Sequence, residues 1–104
     1  MTNEDLHEAA LQELQRIEEG TSTIELIAGD ILLGDVQYRT SNGWTFVVFS
    51  DGAAWDYIHS ITAPSGEQLK IWPGTGEQEC AALGQLQDYH PPGEQSKTIW
   101  GFLP

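Results

Sequence analysis

Four side chains able to take part in proton transfer crowd into one short stretch: Asp51, Asp56, Tyr57 and His59. A general acid or base must be a carboxylate, imidazole or similar group held beside its substrate. Side chains alternate along an extended strand, so Tyr57 and His59 would share a face with Trp55, while Asp56 would point the other way. Asp51 precedes Gly52, and Asp-Gly is turn chemistry. The four do not converge by alternation, so no catalytic residue is assigned and no enzymatic activity is expected. Trp55, Tyr57 and His59 together would instead line a pocket between a sheet and its helices. That makes a small-molecule or peptide-binding module the alternative reading of function.

Metal and nucleophile chemistry find less support. His7, His59, His90 and the lone Cys80 are scattered, with no C-x-x-C or H-x-x-x-H spacing. Cys80 falls near the start of a candidate helix, where a thiolate would be stabilised. It has no accompanying cysteine-enzyme signature, and no internal disulfide can form. The glycine-containing runs "GDILLGD" and "PGTGE" lack both a G-x-G-x-x-G pattern and a Walker lysine, and their acidic residues would repel phosphate. No metal and no cofactor is expected.

The charge balance is more informative. The chain has 104 residues with 16 Asp+Glu against 4 Lys+Arg, a formal net charge of −12. Neutralising phosphates takes Lys and Arg, so direct binding of nucleic acid or of an anionic membrane is disfavoured. A basic protein would be attracted and its association accelerated. The N-terminal segment concentrates the effect, carrying Glu4, Asp5, Glu8, Glu13, Glu18 and Glu19 against the single Arg16. Carboxylates spaced along a helix could imitate a nucleic-acid backbone toward a basic cleft; the plainer reading is a solvated helix face. A homodimer is a second assembly that the composition allows. The start of the chain lacks a basic region followed by an apolar run, and no segment reaches the length of a membrane span, so a cytoplasmic location is expected.

These residues need elements to position them. Leu6, Ala10, Leu14 and Ile17 recur at helical spacing over residues 3–19, with Leu11 on the flank, Glu13 at the edge of the stripe, and Glu8, Gln12, Gln15 and Glu19 opposite. Thr2 or Asn3 would cap this helix and Gly20 would end it. Short strand patterns follow at 23–28, 36–40, 44–50, 54–62 and 68–72, with bends at Gly29 and Gly34 and turns at "SNG", "SDG" and "APSGE". In 44–50, Trp44, Phe46 and Val48 would face one way and Thr45, Val47 and Phe49 the other. With apolar residues on both faces, this strand is expected at the centre of the sheet, covered on both sides. Residues 77–89 read as a second helix with Ala82, Leu83, Leu86 and Tyr89 on one face, despite Gly84. The tail "KTIWGFLP" is too apolar for a free end, so Ile99, Trp100, Phe102 and Leu103 either pack back or dock elsewhere.

The run 34–67 resembles a small bacterial domain family of unassigned function. The likeness rests on Gly34-Asp35-Val36, Asn42-Gly43-Trp44, Phe49 with Asp51, Asp56-Tyr57, and Ala63-Pro64 with Gly66. It implies a fold and no catalytic residue.

The length fits one domain, residues 1–104, large enough for a single core without staples. The expected architecture is α+β: an N-terminal helix, an antiparallel meander of four to five strands, and a C-terminal helix packed on one sheet face. The expected function is that of a small acidic inhibitor, immunity-protein-like, antitoxin-like or phage-encoded, that binds a basic nucleic-acid-handling protein. Its contact residues would be Glu4, Asp5, Glu8, Glu13 and Glu19 on the helix, with Trp44 and Trp55 as aromatic anchors.

Overall fold

The computed structural model describes residues 3–30, 32–52, 54–71, 81–91 and 99–101. Helix α1 (Asn3–Glu19) forms where the apolar stripe runs. Leu6, Ala10, Leu14 and Ile17 are buried and Leu11 is half-buried, while Glu8, Gln12, Gln15 and Glu19 are exposed. Gly20, at φ 82°, ends the helix. The Thr21 amide donates to the Arg16 carbonyl at 2.9 Å and the Gly20 amide to that of Ile17 at 3.2 Å, which satisfies two orphaned carbonyls in a Schellman arrangement. Thr2 and the Asn3 side chain, expected at the cap, lie outside the described residues.

Five antiparallel strands follow: β1 (Ile24–Gly29), β2 (Leu33–Thr40), β3 (Thr45–Asp51), β4 (Ala54–Thr62) and β5 (Gln68–Lys70). They lie in chain order across one sheet, a simple meander. The expected α+β architecture is therefore the one observed, and β3 is central. The expected strand 36–40 begins earlier, at Leu33. Gly34 is held inside β2 opposite Ser50 with φ 110°, and so extends the strand where a bend was expected. Gly29 does end β1. A Cβ there would collide with the Asp35 carbonyl, so only glycine lets the two strands approach this closely.

The β2–β3 hairpin closes through Thr40 and Trp44. The Thr40 amide donates to the Trp44 carbonyl at 2.8 Å and the Trp44 amide to the Thr40 hydroxyl at 3.1 Å. Gly43, with φ 88°, supplies the left-handed residue that such a turn needs.

Helix α2 (Ala81–Gln87) buries Ala82, Leu83 and Leu86, and Tyr89 is half-buried just beyond it. It packs on α1 and on β4. The earlier part of the expected helix, 77–80 with Cys80, lies outside the described residues, as do Trp72 and the Pro73-Gly74 stop. Both helices share a core with one sheet face, built from Val36, Tyr38, Trp44, Phe46, Val48, Ile58 and Ile61.

Trp100 completes that core. It is 2% exposed and edge-on to Tyr38 and Trp55, each with ring centroids 4.9 Å away, and to Phe46 at 6.2 Å. Its carbonyl accepts the Tyr38 hydroxyl at 2.7 Å. Burial pushes the Tyr38 phenol well above its ordinary pKa. Ile99 packs beside it, half-buried. Of the tail residues expected to pack back, these two do so; Phe102 and Leu103 lie outside the described residues.

β4 departs from strict alternation. Val47 pairs with Ser60 and Val48 with Ile58, leaving His59 as an extra residue; Phe49 pairs with Tyr57 and Ser50 with Trp55, leaving Asp56 as another. Each is a bulge, and each resets which side chain faces the core.

Candidate partner-binding surfaces

The bulges overturn one expectation. Trp55, Tyr57 and His59 do not line a common pocket. Trp55 faces the helix-covered side, where its indole donates to the Tyr89 carbonyl at 3.1 Å and its ring meets Tyr89 and Trp100. Tyr57 is on the other side, stacked on Phe49 at 5.2 Å with the rings 8° from parallel. His59 is the half-buried extra residue of a bulge. Asp51 and Asp56 are exposed, at the end of β3 and in the other bulge. The four groups that could have done acid–base chemistry are thus spread over a turn, two bulges and the uncovered sheet face.

Trp44, expected as a surface anchor, is 7% exposed and belongs to the core. It shares the buried cluster with Phe46 and Val48, so it cannot serve as the surface contact expected of it. Trp55, half-buried and committed to Tyr89 and Trp100, has the same internal occupation.

Glu13 is the larger correction. Expected among the acidic contacts, it is 0% exposed. Its Oε1 accepts Arg16 Nε at 3.0 Å and Asn42 Nδ2 at 2.9 Å, and its Oε2 accepts the Ser22 hydroxyl at 3.0 Å. The Thr40 hydroxyl also bonds to it. The chain of donors continues outward: the Thr23 amide gives to Ser41 Oγ at 3.0 Å, and Ser41 and Ser22 hydroxyls lie 3.1 Å apart. Because Ser22 spends its proton on Glu13, Ser41 must donate to Ser22. Burial alone would raise the Glu13 pKa. Hydrogen bonds from Thr40, Asn42, Arg16 and Ser22 outweigh it and hold the carboxyl below its ordinary value. Glu13 therefore fastens α1 to the β2–β3 turn. The signal was in the spacing: Glu13 is three residues after Ala10 and four before Ile17, inside the buried stripe.

On the outside of α1 acidic side chains lie among the exposed Gln12 and Gln15. Asp5, Glu8 and Glu19 are exposed and Glu18 is half-buried beside Tyr89. Burial and the Glu18 carboxylate push the Tyr89 phenol well above its ordinary pKa. The Glu4 side chain lies outside the described residues. The helix's one cation, Arg16, is engaged by Glu13.

The sheet face turned away from the helices, uncovered among the described residues, carries the two other described cations. Glu25, Arg39, Thr45, Thr62 and Gln68 lie in one cross-strand row, and Ala28, Gln37, Val47, Ser60 and Lys70 in the next. Phe49 and Tyr57 sit in a third. Thr45, Val47 and Phe49 are half-buried, and among the described residues the helices cover only the other face of β3, where cover on both faces was expected.

A feature absent from the expectations appears at the sheet edge. Leu26, Ile27 and Leu32 are 51%, 37% and 60% exposed, the large apolar side chains most open to solvent among the described residues. Their runs, "ELIAG" and "DILLG", carry no polar alternation, which is the signal that could have marked them. Beside them a groove of ≈ 440 Å³ opens between β1 and the Trp100 segment, lined by Ile24, Leu26, Tyr38, Ile99, Trp100 and Asp30 among others.

No helix among the described residues is long and apolar enough to cross a membrane. Compared with known protein families, with curated proteins and with solved structures, the chain matches none.

Proposed function

We propose that this chain is a small acidic interaction protein that binds a basic protein partner and blocks it. The single observation that carries the reading is the charge of α1: its outer face exposes Asp5, Glu8 and Glu19, while its one cation, Arg16, is partly exposed and paired with the buried Glu13. With −12 on the whole chain, a positive partner would be steered toward this face before contact. The partner class that fits is a nucleic-acid-handling protein, whose basic cleft is built to accept a row of negative charges. The mode of action is then that of an immunity protein, an antitoxin or a phage-encoded inhibitor working in the cytoplasm. The likeness of residues 34–67 to a bacterial domain family belongs to the same proposal. The alternative of a pocket-binding module has lost its named lining, since Trp55 and Tyr57 occupy opposite sheet faces.

The test is capture of a partner from a bacterial lysate at low salt, followed by charge reversal on the helix. Glu8→Lys with Glu19→Lys is expected to slow association by about tenfold, an effect that high salt erases. A captured partner whose association is indifferent to both salt and charge reversal would rule out the helix as the docking face.

A further inference from the structure

We propose that the outer edge of β1 is a docking site for an extended, basic segment of the partner, which adds to the sheet as a further antiparallel strand. The proposal rests on the preceding one only for the basic character of the partner. Three observations converge on the edge.

The first is backbone. Among the described residues β1 pairs with β2 alone. The Thr40 amide points to β3, where it meets the Trp44 carbonyl, and the Ser41 amide points to β1, where it meets the Thr23 carbonyl. Antiparallel ladders alternate, so Arg39 also points to β1, and its opposite number Glu25 points back. The N–H and C=O groups of Ile24 and Leu26 then face outward, where no strand among the described residues pairs with them. The bulge at Ile27 breaks this spacing, so the site spans only the short run before it.

The second is side-chain chemistry. Leu26 is half open to solvent on the helix side of the sheet and forms one wall of the groove completed by Ile24, Tyr38 and Trp100. An apolar side chain from the incoming strand would enter there, as alternate residues do in strand addition. The third is charge. Asp30 lines the same groove, and its Oδ1 is held in place by the Leu32 amide at 2.8 Å. A Lys or Arg two residues along the incoming strand would reach it. The same charge argues against a second copy of this chain as occupant, because each copy carries −12.

The experiment is titration of the full ¹⁵N-labelled chain with two blocked pentapeptides, Lys-Val-Lys-Val-Lys and Glu-Val-Glu-Val-Glu, following amide shifts and hydrogen exchange. The basic peptide is expected to shift the β1 amides and to slow exchange at Ile24 and Leu26, binding about tenfold tighter than the acidic one. Leu26→Pro removes an outward donor and no β1–β2 bond, and is expected to abolish the effect while the remaining spectrum stays folded. Leu26→Lys, which closes the apolar wall and keeps the donor, is expected to weaken it as well. Shifts confined to α1 would overturn the strand site and leave the acidic-helix reading standing. Equal binding of the two peptides, or none, would overturn it too, as would a β1-mediated dimer in sedimentation.

Discussion

The two faces of the sheet start from similar material and end differently. β3 sends Phe46 and Val48 one way and Val47 and Phe49 the other, and both pairs are apolar. On the helix side the pair belongs to one buried cluster with Leu14, Ile17, Leu86 and Trp100 and is excluded from water. On the other side Phe49 pairs with Asp35 and Tyr57, and among the described residues Tyr57 is its one aromatic neighbour, while Val47 pairs with Gln37 and Ser60. A side chain's own hydrophobicity therefore does not decide burial here. What decides it is whether a second layer arrives, and α1, α2 and the Trp100 segment all arrive on the same side.

That contrast can be broken most forcefully at Trp100. Replacing it with alanine removes the ring that joins Tyr38, Phe46 and Trp55, and is expected to cost about 3–5 kcal/mol. Urea unfolding would read this as a lower midpoint with an unchanged slope, and the loss is a large part of the whole stability of a domain this size. A smaller effect is expected at Glu13→Gln, about 2 kcal/mol, because an amide cannot accept on both sides of the cluster. Its pH signature is sharper than its size. The folded-state pKa of Glu13 lies below the ordinary 4.5, so the unfolded chain takes up this proton first. The stabilisation is complete above that value and is lost as pH falls through the folded-state pKa. Glu13→Gln should therefore flatten the acid limb of the stability profile below pH 4.5; an acid limb identical to that of the parent would remove Glu13 as its source. The smallest effect belongs to the uncovered face. Phe49→Ala or Tyr57→Ala should each cost about 1 kcal/mol, and a double-mutant cycle should recover a coupling of about 0.5–1.5 kcal/mol from the stack. A loss at Phe49 as large as that at Trp100 would mean that the second face is covered after all.

Much of the fold is legible in the sequence. Helix α1 is legible to the residue because its stripe has helical period and Gly20 stops it. The strand order follows from turns at Asn42-Gly43, Asp51-Gly52 and Ser65-Gly66. The sites were less legible, for physical reasons. Exposure of Trp44 depends on which face the helices choose, and strand patterning carries no such information when both faces are apolar. The bulges at Asp56 and His59 leave no mark in the alternation, which on its own puts Trp55 and Tyr57 on one face. Glu13 shows the limit of reading charge as surface: its four donors come from α1, from the turn after it and from a hairpin far along the chain, and only the folded state gathers them. The edge at Leu26 and Leu32 was legible as an apolar run but not as an exposed one, because its place at the rim follows from strand order.

The two bulges of β4 have a consequence for how this chain tolerates change in length. Asp56 and His59 are each opposed by no residue of their own on β3. Losing either would straighten the strand and leave Trp55, Ile58 and Ile61 pointing where they point now. A one-residue loss elsewhere between them could be absorbed by drawing a bulged residue into the ladder. β4 thus holds slack, like a rope with two small loops left in it. Its neighbour β3, paired without interruption to β2, holds none on that side, so a deletion there would turn one of its two apolar rows around to the wrong layer.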